Sequence, residues 1–252
     1  MARQHTGAAM AEVLDNQEPV GRGHHYAWRL SLLGAWQLAG ADRAVEVGAN
    51  GRRLFALLAL RGACDRPFLS GFLWPNCSDP QAMGNLRATL SRLHRRNLGN
   101  VLQSTNRVLS LRADVDVDVR HLQATASAIL DGTLRALDRS TLRELAGDDL
   151  LVGWYEDWVL LERERLRQLR LHALEMLSGK LLAAGDASAA VEAGLATVAV
   201  EPLRESAHRA VIHAYLAEGN RAEALRQLAR LRHLLRGELG VEPSTLVTDL
   251  FR

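Results

Sequence analysis

With 252 residues, 48% of them hydrophobic, the chain can bury one large core or two of ordinary size, and no segment reaches the roughly 18 uninterrupted apolar residues of a membrane span. Cys64 and Cys77 are the only cysteines and no histidine pattern accompanies them, so neither a disulfide framework, a zinc site nor any other cofactor is expected. The formal net charge of +2 conceals a block from Gly51 to Arg112 with ten arginines against two acids, Asp65 and Asp79, inside a chain whose remainder is net acidic. Such a block is the footprint of a polyanion-binding face.

Residues 1–27 lack hydrophobic periodicity and an apolar h-region. They read as a flexible tail with no secretory signal, and a cytoplasmic, nucleoid-associated protein is expected. Trp28, Leu30 and Leu32 then alternate with Arg29 and Ser31 as in a half-buried strand. Trp36 and Leu38 continue the pattern before the turn Gly40-Ala41-Asp42, and Val45 with Val47 suggests a further short strand. Gly51 opens a helix with Leu54, Leu57, Leu58 and Leu60 at helical spacing. Pro67 restarts the chain into a short helix, Phe68 to Leu73, and the turn-rich Trp74–Pro80 follows. Asp79 before Pro80 predicts an N-cap and first helical position for a third helix running to about Asn97, with Gly99 just past its end. Val101–Ser104 and Val108–Leu111 flank Thr105-Asn106-Arg107 as a hairpin.

The order sheet, three helices, hairpin is that of a winged helix-turn-helix, assigned to residues 28–115. From Asp116 the pattern is helical throughout. Leu182-Ala183-Ala184-Gly185-Asp186 is echoed 34 residues later by Leu216-Ala217-Glu218-Gly219-Asn220, and the pairs Ala173/Ala207 and Ala190/Ala224 share that offset. That period is the tetratricopeptide signature. The expected pairs are Asp157–Ala184 with Ala187–Val200 and Leu203–Glu218 with Arg221–Leu239, after a degenerate pair over Val119–Leu145. The fold class is therefore mainly α: a winged helix (α+β), then an all-α helical-repeat domain over residues 116–252.

Projected at about 100° per residue, the third helix buries Leu86, Leu90 and Leu93, with Met83 at the edge. The opposite arc carries Gln81, Arg87, Ala88, Ser91, Arg92 and Arg95, with Asn85 at its margin. No acid occurs from Gln81 through Arg112, although six arginines do. A solvated face normally mixes signs for pairing one turn apart, so the exclusion points to a polyanion. In a major groove, arginine forks onto guanine, asparagine pairs with adenine and alanine meets the thymine methyl. Arg107 at the hairpin tip reaches toward the minor groove or phosphates, and Arg96, Arg52 and Arg53 are candidate phosphate contacts. Trp74, Trp154 and Trp158 read as packing residues, the last two inside the helical domain. Glu162-Arg163-Glu164-Arg165 reads as an ion-pair face. Asp114, Asp116 and Asp118 alternate onto one face, but without a second ligand cluster they read as a solvated linker and no metal site.

At these residues the chain resembles the Streptomyces antibiotic regulatory protein family. The resemblance lies in Leu30–Gln37, Gly51–Leu60, Phe72–Arg95 and the hairpin, then in Leu151–Arg167, the repeats and Glu238–Pro243. It implies an OmpR-like winged helix joined to a bacterial transcriptional activation domain. It also implies a transcription activator that binds direct repeats of double-stranded DNA as side-by-side protomers and recruits RNA polymerase through its sigma factor, controlling a secondary-metabolite gene cluster. By the same resemblance the loop with Trp74, Asn76, Ser78 and Asp79 faces the polymerase. The chain carries no P-loop, so nucleotide hydrolysis is not expected, and the protein is expected not to be an enzyme. His94 stands where similar proteins commonly carry arginine. Two alternatives remain open on the residues alone: a helical-repeat scaffold for protein partners, and a repressor using the same DNA reader. Removal of everything after Asp118 is expected to leave DNA binding intact.

Overall fold

A computed structural model describes residues 28–41, 43–134 and 139–251. The expected tail over 1–27 and the turn residue Asp42 lie outside the described residues. Strands β1 (Trp28–Ser31), β2 (Gln37–Gly40) and β3 (Arg43–Ala44) precede helix α1 (Ala49–Arg61). Strand β4 (Cys64–Asp65), α2 (Arg66–Leu73), α3 (Asp79–Arg95) and the hairpin β5 (Leu102–Ser104) and β6 (Val108–Leu111) follow. Strand β7 (Val115–Val117) leads into α4 (Asp118–Leu130), α5 (Arg139–Leu145), α6 (Asp157–Ala183), α7 (Ala187–Val200), α8 (Glu205–Ala217), α9 (Arg221–Leu239) and the short α10 (Thr245–Thr248). One sheet has the order β3-β2-β1-β7 and the other β4-β6-β5, so the winged-helix topology is as expected.

Several boundaries differ from the sequence reading, each for a local reason. The third strand is Arg43–Ala44 rather than Val45–Val47, because Ala39 pairs with Ala44 and Gly40 with Arg43 across the tight turn. Val47 instead drops into the core as α1 begins. Ser78, not Asp79, is the N-cap of α3, and its N–H donates to Gln81 Oε1 at 3.4 Å, one bond of a capping box. Asp79 thereby joins the first turn, at the positive end of the helix dipole. The same helix ends at Arg95, short of the expected Asn97, and the left-handed closing position expected of Gly99 is taken by Asn97 (φ 57°), with Leu98 N–H returning to Leu93 O at 2.9 Å, a Schellman closure.

The expectation of helix from Asp116 onward fails at β7, which pairs parallel with β1 through Trp28↔Val115 and Leu30↔Val117. Its alternating valines are buried, as the inward face of a strand requires. The three nearby aspartates are consequently separated. Asp114 pairs with Arg112 and Asp116 with Arg29 and His121. The Asp118 carboxylate accepts from the backbone N–H of Leu32, Leu33 and Val119, at 2.7 to 3.0 Å. Burial pushes its carboxyl up from the ordinary value, opposed by those N–H donors. It is a structural brace rather than part of a solvated linker.

The division at residues 115 and 116 thus falls inside a strand, and the two halves share a core. Leu150, Leu151, Val159 and Leu166 belong to the same buried cluster as Leu30, Leu54, Leu86 and Leu93. Leu151 N–H donates to Leu32 O (2.7 Å) and Gly34 N–H to Asp149 O (2.7 Å), adding the 148–152 loop to the strand edge. Arg163 seals that loop by donating to the carbonyls of Leu150, Leu151 and Trp154, so it is not a member of an ion-pair face. Trp154 and Trp158 also sit at this junction rather than inside the helical domain. Phe72 of α2 lies edge-on to Trp158, with ring centroids 6.0 Å apart, and Trp158 is edge-on to Trp154 at 6.5 Å.

The 27-residue α6 carries this union onward. Its first half supplies Val159 and Leu166 to the winged-helix core, and its second half supplies Ala173, Leu174, Leu177 and Leu181 to the next cluster. The 34-residue period matches α6–α7 and α8–α9. Gly185 (φ 85°) and Gly219 (φ 78°) both take the left-handed turn between paired helices, a conformation costly for any side chain. Ala173, Ala207, Ala190 and Ala224 are fully buried where helices cross. Gly194 permits the closest approach: a Cβ there would lie 2.7 Å from Val211 Cγ2.

Candidate nucleic-acid interface

Helix α3 is held against α1 and α2 by one apolar stripe. Ala82, Leu86, Thr89, Leu90 and Leu93 are buried, and Gly51 lets α1 approach until a Cβ there would be 3.1 Å from Leu93 Cδ2. Thr89 was not anticipated on this stripe; its hydroxyl is satisfied by donating to Asn85 O at 2.8 Å. With that stripe fixed, the helix rotation leaves Gln81, Arg87, Ser91, Arg92 and Arg95 exposed, and Ala88 and Asn85 half-exposed. Arg96, just past the helix, is exposed as well, and its Nη1 donates to Glu46 O at 3.2 Å.

Among the described residues, no carboxylate lies within ion-pair distance of Arg87, Arg92, Arg95, Arg96 or Arg107. The acid-free run seen in the sequence therefore stays acid-free in three dimensions. The β5–β6 hairpin, which follows this helix, carries Arg107 at its tip. Its tip is closed by Thr105 N–H to Val108 O at 2.9 Å, and its position is pinned by Arg66, whose N–H donates to Arg107 O at 3.0 Å. Arg66 Nη2 also donates to Ser104 Oγ at 2.8 Å. Arg107 is thus presented on a braced wing.

The remaining predicted contacts divide. Arg52 is exposed, with Nε donating to Val47 O at 2.7 Å and the guanidinium 5.3 Å from the Trp36 ring centroid. Arg53 turns away from this surface toward Glu156, 3.4 Å distant across the junction, and is only 23% exposed. It is better described as a junction residue than as a phosphate contact. His94 Nδ1–H donates to Leu90 O (3.0 Å), and its ring packs where a Gly99 side chain would stand.

The α2–α3 loop lies at the N-terminal end of the same helix. Asn76, Ser78 and Asp79 are exposed, whereas Trp74 is half-buried and packs on the winged-helix core. Cys77 N–H donates to Trp74 O (3.1 Å), and Asn85 Nδ2 lies 3.8 Å from Cys77 Sγ, so the loop is tied to the helix it introduces.

The geometry defines a class: a winged helix with an exposed, unneutralised basic face, fused through a shared core to tetratricopeptide-like pairs. Residues 112–252 match the family described as bacterial transcriptional activator domain. The regulatory protein AfsR of Streptomyces coelicolor is 33% identical over 187 residues, covering 71% of this chain and 19% of that protein. AfsR of Streptomyces griseus is 29% identical over 242 residues, 89% of this chain and 24% of that protein. The chain therefore spans about a fifth to a quarter of these relatives' length. The solved structure of Mycobacterium tuberculosis EmbR in complex with a low-affinity phosphopeptide shares the fold at a TM-score of 0.66 and 21% identity, over 89% of this chain and 64% of that one. The chain belongs to the bacterial transcriptional activator domain family and is similar to these regulatory proteins of Streptomyces. Among the described residues no helix is long and apolar enough to cross a membrane.

Proposed function

We propose that this regulator binds duplex DNA by laying α3 in the major groove and the β5–β6 wing along the adjacent backbone. Protomers sit side by side on direct repeats upstream of promoters, and they activate transcription by recruiting RNA polymerase through its sigma factor. The genes served are those of a secondary-metabolite cluster. The observation that carries the DNA assignment is the set of five arginines on α3, just past it and on the wing, Arg87, Arg92, Arg95, Arg96 and Arg107, each exposed and without a carboxylate partner among the described residues. An uncompensated array of this kind is kept soluble by water and counterions, and displacing the latter from phosphate is the main driving force of protein–DNA association. The relatives named as regulatory proteins support the transcriptional role, and the exposed loop at Asn76 to Asp79 offers the polymerase a surface beside the bound helix.

Selection of bound fragments from randomised and genomic duplexes at two salt concentrations tests this. The expected result is a short motif repeated at a spacing of about one helical turn or a multiple of it, with a log–log salt slope of roughly −5 per protomer. Binding without an enriched motif would make the protein a nonspecific polyanion binder. No binding at all would favour the scaffold reading. For the polymerase contact, Asn76→Ala is expected to retain operator affinity while lowering transcript yield with sigma-containing holoenzyme; unchanged yield would remove the loop from the polymerase surface.

A further inference from the structure

We propose that the cleft where the start of α1 meets the loop leading into α6 is a binding site for a planar aromatic carboxylate, its ring held by Tyr155 and its charge by Arg52. The cleft encloses about 530 Å³, within the range of small-molecule sites. Two segments line it: Val47 to Ala49 with Arg52 and Arg53 from the winged helix, and Gly153 to Glu156 from the chain just before α6. Apolar and aromatic surface therefore stands beside a few polar groups, which suits a ligand with an apolar body and one charged end.

Tyr155 is 79% exposed, more than any other large apolar side chain among the described residues. The backbone that presents it is braced on both sides of the loop. Val152 N–H donates to Gly34 O at 2.8 Å, Trp154 N–H to Leu151 O at 3.0 Å, and Arg163 Nη2 to Trp154 O at 3.1 Å. Leu151 takes φ 48°, a left-handed conformation that leucine seldom adopts. Such strain persists only where the surroundings over-determine it, and it collects at segments that hold ligands. The outward placement of residue 155 is thus set by the fold.

Arg52 supplies the charge. Its Nε donates to Val47 O (2.7 Å) and its guanidinium lies 5.3 Å from the Trp36 ring centroid, so the group is oriented before any ligand arrives. Its terminal nitrogens make no hydrogen bond or ion pair among the described residues. The other charges of the lining cancel, because Glu156 pairs with Arg53 at 3.4 Å. One guanidinium remains in excess, which selects a monoanion, and its planar fork matches a carboxylate. A duplex backbone would give Arg52 a phosphate but leave Tyr155 without a planar partner, since paired bases are stacked inside the helix.

Naphthoate, a two-ring monocarboxylate, is the probe, titrated into the isotope-labelled full chain and followed through its amide resonances. The protein is free of DNA, so the outcome does not depend on how it meets a duplex. The expected Kd is about 1 mM or tighter, the affinity that roughly thirteen non-hydrogen atoms reach at ordinary ligand efficiency, with the largest shifts at Ala49 and Gly153. Naphthamide, the neutral counterpart, and acetate, which has no ring, should each bind at least about fivefold more weakly. Tyr155→Ala should weaken naphthoate about fivefold or more without changing the thermal midpoint of the free protein, since its side chain is exposed. Tyr155→Phe should bind as wild type does, because the ring and not the hydroxyl makes the contact, and Arg52→Gln should reduce the preference for naphthoate over naphthamide to about twofold or less. A Kd above about 10 mM would overturn the site, and so would affinity unchanged by Tyr155→Ala. Equal binding of naphthamide to wild type would remove the carboxylate from the assignment. Inorganic phosphate that shifts the same amides at equal affinity would reduce the cleft to a simple anion site and overturn the aromatic class.

Discussion

Helices α3 and α6 are both rich in arginine, and they use it in opposite ways. In α6 every guanidinium is engaged within the protein. Arg163 donates to three loop carbonyls, Arg165 pairs with Glu162 at 2.9 Å, Arg167 with Glu164 and Glu201, and the nearly buried Arg170 donates to Asp148 O at 2.6 Å. In α3, Arg87, Arg92 and Arg95 meet no carboxylate among the described residues. The difference is set by what stands three or four positions away: Glu162 and Glu164 precede Arg165 and Arg167, whereas Met83 and Ser91 flank Arg87, and Ala88 and Arg96 flank Arg92. Arginine content therefore does not distinguish the two helices. The acids within a turn do, because an unpaired exposed guanidinium contributes little to the folded state that water would not supply equally well.

The contrast can be broken in four ways, from the largest expected effect to the smallest. A chain ended after Asp118 loses Leu150, Leu151, Val159 and Leu166 from the winged-helix core. It is expected to show no cooperative urea transition, contrary to the sequence-based expectation of an independent DNA reader. A sharp transition together with intact operator binding would show that the shared core is dispensable. Next, replacing Arg87, Arg92, Arg95 and Arg96 together by alanine should cost at least about 4 kcal/mol of operator binding, taking roughly 1 kcal/mol per lost contact. The same variant should change unfolding free energy by less than about 0.5 kcal/mol each, as surface positions do. A large loss of stability would mean that α3 uses its arginines as α6 does.

The mirror experiment lies in the repeat domain. The Glu175 carboxylate accepts from Arg204 at 2.7 and 3.1 Å and also bonds the Ser206 hydroxyl. Burial raises its pKa, but the bonds from Arg204 and Ser206 together pull it below the ordinary carboxylate range. Glu175→Ala should destabilise by about 1–2 kcal/mol, less than for a fully buried pair because both side chains are about a fifth exposed, and leave the DNA salt slope unchanged. The smallest effect concerns His208, which is fully buried between Pro202 O (2.9 Å) and the Gln227 amide (2.9 Å). Burial lowers its pKa, with the Arg230 charge acting in the same direction and the Pro202 carbonyl opposing. The unfolded chain then binds the proton more readily than the native one, so stability is complete above the ordinary histidine pKa of about 6.5 and declines as pH falls through the lowered folded value. Thermal denaturation of His208→Gln between pH 7 and pH 5 should show a shallower decline than wild type; parallel curves would exclude this histidine.

Much of the molecule was legible in the linear chain because its signals are local. Helical periodicity, the Asp-Pro start of α3 and the hairpin residues around Asn106 depend on neighbours a few positions away, and the 34-residue echo of Gly185 in Gly219 reflects a turn that each repeat must make alone. The acid-free stretch from Gln81 to Arg112 could likewise be counted directly. The sequence by itself thus determined the order of the main helices and the hairpin, most of the buried stripe of α3 and the sign of its exposed face, but not strands β4 and β7. Only the tertiary structure decided what the long-range partners are. Asp118 finds Leu32 and Leu33, Arg53 finds Glu156, and Trp158 finds Phe72, each across more than eighty residues of chain. No local pattern encodes such pairs, since they arise when two surfaces are brought together and desolvated. The junction that makes one core of two expected domains, and the cleft that brings Arg52 and Tyr155 together, exist only once that packing has occurred.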